Sequence, residues 1–95
     1  MPPAPDITVH VPTPLRGCVK GRSELQLFAP TVRDALAELE TSQPALHRSI
    51  CDETGAVRRH INLFVNHAHI RDRSGLDTPL SPGDMLIILP AVSGG

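Results

Sequence analysis

The segment Met85–Leu89, MLIIL, is apolar at every position, and it constrains the fold more than any other stretch of the chain. A strand that buries one face alternates apolar with polar residues. One that is apolar on both faces belongs inside a sheet, with a neighbour on each edge. The run is bounded by the turn signal SPGD (Ser81–Asp84) and by Pro90, which leaves too little chain for a stable helix. The rest of the sequence must therefore supply strands for both edges of this one and a helix to cover the sheet.

It does so in a definite order. ITVHV (Ile7–Val11) alternates with period two, and so does SELQLF (Ser23–Phe28). The two runs predict an antiparallel hairpin, joined by a long, mobile connection rich in proline and glycine, PTPLRGCVKG. The period then changes: Val32, Ala35, Leu36 and Leu39 fall at i, i+3, i+4 and i+7, one apolar stripe of a helix. Thr31 is placed to cap it, with Asp34 three residues on. Pro44 is expected to end the helix and to open an irregular stretch reaching about His60, anchored in the core by Leu46 and Ile50. HINLFVN restores alternation, with Ile61, Leu63 and Val65 facing one way and Asn62, Phe64 and Asn66 the other. Ile70 is expected on a short edge strand.

Two strands, a helix, then two or three strands with the last one buried predict an α+β fold, a mixed sheet with one main helix on one face. This is a β-grasp arrangement, in which a right-handed crossover sets the final strand parallel to the first at the sheet's centre. A ferredoxin-like sandwich needs two long helices, and only one is evident. The expected layout is a single domain over residues 1–95, with 1–6 frayed and 90–95 projecting as a tail.

Several functions are disfavoured. Nine basic residues oppose ten acidic ones, and the densest basic sites, Arg58-Arg59 and Arg71/Arg73, are pairs, so no nucleic-acid partner is expected. No apolar run approaches a membrane span, and the MPPAPD start lacks the parts of a signal peptide, so the expectation is a cytoplasmic chain with no membrane partner. Cys18 and Cys51 have no CxxC spacing and are read as unlinked thiols. His67 and His69 would share a strand face, but no nearby ligand pattern completes a metal site, and none is assigned. No phosphate-binding loop and no local signature of a nucleophile with its base is present, so the chain is not expected to be an enzyme and no catalytic residue is assigned.

The ending ILPAVSGG points elsewhere. If Leu89 closes the central strand, Pro90 ends its hydrogen bonding, and Ala91, Val92, Ser93, Gly94 and Gly95 leave the sheet as a thin, flexible strip. A terminal Gly-Gly carries no side chains, so its carboxylate can enter a narrow active site where bulkier ends clash. A carboxylate is a poor electrophile, and a partner must first convert it to an acyl-adenylate with ATP.

At these residues the chain resembles a known family. ILPAVSGG after SPGDMLI, with HINLFVN and the opening ITVHVPTPLR, is similar to the MoaD/ThiS sulfur carriers of the ubiquitin-like β-grasp fold, most of all to the CysO type of actinobacterial cysteine synthesis. The resemblance implies that Gly95 is adenylated by an E1-like enzyme of the MoeB/ThiF type and becomes a thiocarboxylate, a terminal 1-thioglycine. Ala91 to Gly94 would thread into the partner's active site, and the sulfur would pass to an accepting synthase for cysteine, molybdopterin, thiamine or a secondary metabolite. A JAMM-type metalloprotease would be needed where release is hydrolytic, and no tightly bound cofactor is implied.

A docking surface follows from strand parity alone. If Met85, Ile87 and Leu89 lie under the helix, then Leu86 and Ile88 join Phe64 on the bare face as an exposed apolar patch. The competing functions are a ubiquitin-like modifier, which would form isopeptide bonds through Gly95, and a non-covalent interaction domain with an idle tail. With Lys20 as the only lysine, self-linked chains would be restricted to that side chain or the amino terminus.

Overall fold

The computed structural model describes residues 6–91. The alternating runs form β1 (Asp6–His10), β2 (Glu24–Phe28) and β3 (Ile61–Val65). They are joined by the two-residue β4 (Ala68–His69) and by β5 (Met85–Pro90). The sheet order is β2-β1-β5-β3-β4. β5 is central and parallel to β1, as its two-sided apolarity demands, and the other pairings are antiparallel. This is the ubiquitin-like β-grasp, and its strand order is not that of a ferredoxin-like sandwich.

Two helices cover one face. The helix α1 (Val32–Ser42) buries Val32, Ala35, Leu36 and Leu39, the four residues of the predicted stripe. Thr31 caps it: the Asp34 amide donates to Thr31 Oγ1 (3.2 Å), and the Thr31 hydroxyl donates to Asp34 Oδ2 (2.8 Å). Pro44 does not open an irregular stretch. It starts a second helix, α2 (Pro44–Ile50), because a proline in the first turn gives up only an amide that has no helical partner there. Leu46 and Ile50 are both fully buried, as expected of anchors.

Three other expectations are corrected. The proline- and glycine-bearing connection after β1 is ordered as a 3₁₀ helix, Thr13–Val19, with Val19 buried and Leu15 and Cys18 packed on the core. Arg16 Nε donates to the Val11 carbonyl (3.0 Å) and Lys20 closes the helix in a left-handed conformation. Ile70 begins a short 3₁₀ turn and does not extend the edge strand. Asp6 is paired with Phe28 in the sheet, while residues 1–5 lie outside the described residues. At the other end of the strands Ser81–Asp84 is a type II turn: Pro82 and then Gly83 (φ +86°) occupy its centre, and the Asp84 amide donates to the Ser81 carbonyl (3.0 Å).

The core lies between the sheet and the helices, with Ile7, Val9, Leu63, Leu86 and Ile88 from the strands meeting Leu36, Leu39, Leu46 and Ile50. Among the described residues, no helix covers the opposite face of the sheet.

Candidate functional site

Direct partners across a ladder point to the same side of a sheet, so the pairings identify the bare face. Phe64 stands opposite Ile87, Asn62 opposite Leu89, and Thr8 beside Met85. Met85, Phe64 and Ile87 are half-buried and Leu89 is 43% exposed. They form one apolar strip along the centre of the sheet, bordered by His10, Asn62 and His69.

The expected face assignment of β5 is therefore reversed. Leu86 and Ile88 are 0% exposed and belong to the core, and Met85, Ile87 and Leu89 are the outward residues. Of the expected patch Phe64, Leu86 and Ile88, only Phe64 lies on the open face. The parity of β5 is set outside the strand: Asn66, in a left-handed conformation at the β3–β4 turn, accepts the Met85 amide on Oδ1 (3.0 Å). The Asn66 amide in turn donates to the Met85 carbonyl (2.8 Å), and this fixes Met85 at the mouth of the ladder and thus the direction of every later side chain. A run that is apolar throughout holds no such signal. Phe28, 64% exposed at the outer corner of β2, is a further apolar residue on this face that the alternation of SELQLF left unmarked, since it reads as the strand's end.

His69 orders one border of the strip. Its Nδ1 accepts the Arg71 amide (3.0 Å), so the neutral ring carries its proton on Nε2, which donates to Asn62 Oδ1 (3.1 Å). The ring meets Phe64 edge-on with centroids 5.0 Å apart, limiting that side chain's freedom. His67 does not share a strand with His69; it lies exposed in the turn between β3 and β4. Among the described residues no group of three or more His, Cys, Asp or Glu is placed to hold a metal ion.

The tail's root differs from expectation in one respect. β5 runs through Pro90, which stands opposite Ile61, and the Ala91 amide donates to the His60 carbonyl. The proline lacks only its own amide, and the ladder resumes one residue later. Pro90 is therefore part of the sheet and Ala91 is held at its end, while Val92, Ser93, Gly94 and Gly95 lie outside the described residues.

Two titratable groups are shifted, both where α2 joins the loop to β3. Burial, reinforced by the neighbouring Asp52 carboxylate, pushes the Cys51 thiol up. Asp52 is held below the usual carboxylate range because Oδ1 accepts the Thr54 hydroxyl (2.6 Å), the Thr54 amide (2.8 Å) and the Ala56 amide (3.1 Å). Both cysteines are free thiols. These features order a loop and are not arranged around a reacting centre.

With this geometry in view, the comparisons with known proteins are specific. The pattern described as the ThiS family matches residues 9–95. The sulfur carrier protein CysO of Mycobacterium tuberculosis is 32% identical over 92 residues, covering 95% of this chain and 99% of that protein. The Amycolatopsis orientalis BexX/CysO complex contains a chain of TM-score 0.84 and 32% identity, covering 94% of this chain and 99% of that one. The small archaeal modifier protein SAMP1 of Methanosarcina acetivorans superposes with TM-score 0.85 at 33% identity, over 100% of both chains.

Proposed function

We propose that this chain, which belongs to the ThiS family, is a sulfur carrier that bears its cargo as a thiocarboxylate on Gly95. It acts as a substrate of other proteins and not as a catalyst. The observation that carries the reading is a family match over residues 9–95 on a chain whose central strand runs to Pro90, five residues before Gly95. The Ala91–His60 hydrogen bond holds the strip's root at the sheet's end, so four residues, Val92 to Gly95, remain to enter a partner's active site.

The chemistry requires a partner at each step. The Gly95 carboxylate attacks the α-phosphorus of ATP on an E1-like enzyme, pyrophosphate leaves, and the acyl-adenylate then has a leaving group. Hydrosulfide attacks the acyl carbon, AMP leaves, and loss of the remaining S–H proton gives the thiocarboxylate. Glycine at positions 94 and 95 keeps side chains away from both displacements. Phe64, Ile87 and Leu89 are the anchors by which the adenylating enzyme grips the bare face. The kinship with CysO favours a carbon acceptor made electron-poor by another enzyme, such as a bound aminoacrylate. Addition of the thiocarboxylate sulfur gives a thioester, and migration of the acyl group from sulfur to the adduct's own amine gives an amide. Hydrolysis of that amide by a peptidase restores the Gly95 carboxylate.

The likeness to a small archaeal modifier supports a second reading, in which a lysine amine of a target protein attacks the same adenylate-derived acyl group. The nucleophile decides between them. Incubation with an E1-like enzyme, ATP and a sulfide source should add the mass of one oxygen-to-sulfur exchange at the terminus, read by intact-mass spectrometry. Removal of Gly94-Gly95 should abolish it. Conjugation of Gly95 to lysines of many proteins, with no thiocarboxylate formed, would overturn the carrier reading.

A further inference from the structure

The sheet is incompletely closed on the β3 side. β4 pairs with Phe64 and Val65, after which the chain turns away at Ile70, so among the described residues Ile61–Leu63 have β5 on one edge and no strand on the other. The direction of the free backbone groups follows from the ladder. The Asn66 amide reaches the Met85 carbonyl and the Ala91 amide reaches the His60 carbonyl, so even-numbered residues of β3 turn their backbone groups to β5. The odd-numbered residues Ile61 and Leu63 turn theirs outward. The Ile61 amide is taken by the Arg58 carbonyl (3.0 Å) and the Phe64–His69 pairing engages the Leu63 carbonyl, which among the described residues leaves the Ile61 carbonyl and the Leu63 amide on the open edge.

Directly beside this edge lies a cavity of about 330 Å³ whose apolar wall is made by Val57, Ile61, Leu63, Ile70 and Leu76. Arg58, Arg71 and His69 also line it, and no carboxylate does. Both guanidinium groups are exposed, and neither is in an ion pair among the described residues, where Arg33–Asp77 is the pair formed. Arg58 spends only Nε, on the Arg48 carbonyl (3.0 Å). An apolar slot beside the open Leu63 amide and Ile61 carbonyl, lined by arginines and by no carboxylate, with Asp52 near enough to Arg58 to feel its charge, has a defined complement.

We propose that this edge binds an extended acidic–apolar peptide segment of a partner protein, which adds as a strand beside Ile61–Leu63. It sets an apolar side chain into the cavity and presents carboxylates to Arg58 and Arg71. The Leu63 amide and the Ile61 carbonyl supply the register, the cavity selects the buried residue, and the arginines select the charge. This surface is at the side of the sheet and meets the strip of Phe64, Ile87 and Leu89 only at His69, so a partner held here leaves Ile87, Leu89 and Gly95 free. The segment serves as a second point of attachment beside the tail's root.

The test uses the full chain and a fluorescein-labelled peptide, Glu-Ile-Val-Ile-Glu with blocked ends, against the same peptide with lysine in place of both glutamates. The expected result is saturable binding of the acidic peptide, with amide chemical-shift changes centred on Ile61, Leu63 and Ile70. The lysine peptide should bind at least tenfold more weakly. Arg58→Glu and Arg71→Glu, each confirmed folded by its amide spectrum, should each weaken the acidic peptide at least fivefold. Charge reversal in the peptide should recover that loss. No binding up to millimolar peptide would overturn the proposal. So would equal affinity for both peptides, or shifts centred on β2 or on Phe64 and Ile87.

Discussion

Ile87 stands directly opposite Phe64 across the β3–β5 ladder, and both side chains point away from the helices. Their neighbours one residue along, Leu86 and Val65, are opposed in the same way but point into the core. Adjacent residues on one strand thus have opposite tasks, and substitution separates them. Phe64→Asp or Ile87→Asp should weaken binding to the adenylating enzyme by about 1–3 kcal/mol while the fold persists. Leu86→Ala should cost about 2–5 kcal/mol of stability through the cavity it leaves. Titration calorimetry and urea unfolding of the three variants check both halves, and unfolding of Ile87→Asp at room temperature would contradict the assignment.

The two thiols should differ in reactivity. Cys18 is partly exposed with Sγ 3.7 Å from Ser49 Oγ, whereas Cys51 is buried and its thiol is pushed up by burial and by Asp52. Only the thiolate is nucleophilic, so iodoacetamide should modify Cys18 about tenfold or more faster than Cys51 in the folded protein at neutral pH. Denaturation should remove the difference. Peptide mapping after timed labelling gives both rates.

Asp52 should contribute to acid sensitivity. Its folded pKa lies below the ordinary 3.8, so the unfolded chain binds that proton more tightly. The stability it contributes is present above the unfolded value and is lost as pH falls through the folded one. Asp52→Asn should therefore be less stable than the parent at neutral pH, with the gap closing in strong acid. Thermal unfolding across that range checks the trend, and a gap that widens on acidification would be the wrong sign.

Gly83 tests the turn that feeds the central strand. At φ +86° an added Cβ meets nothing within 4 Å, so a larger residue is penalised by backbone conformation and not by a clash. Gly83→Ala should cost about 1 kcal/mol, and Gly83→Asn less, because asparagine tolerates the left-handed region better. Urea midpoints of the two variants give the order.

Much of the molecule is local and was legible in the sequence. The stripe of Val32, Ala35, Leu36 and Leu39, the Thr31 cap and the inward set Ile61, Leu63 and Val65 all follow from side-chain periodicity, which is a property of the backbone conformation itself. The two-sided apolarity of MLIIL required a central position, and β5 has it, between β1 and β3. What the run did not hold was its parity, since whichever face turned inward would be wholly apolar. That choice came from Asn66 gripping Met85 across the ladder, a contact between residues nineteen apart. Likewise Pro44 ends or begins a helix according to whether the chain beyond it finds a core to bury Leu46 and Ile50. Periodicity determined which elements form; long-range hydrogen bonds and burial decided which face each shows, because only the packed chain makes one choice cheaper than its mirror.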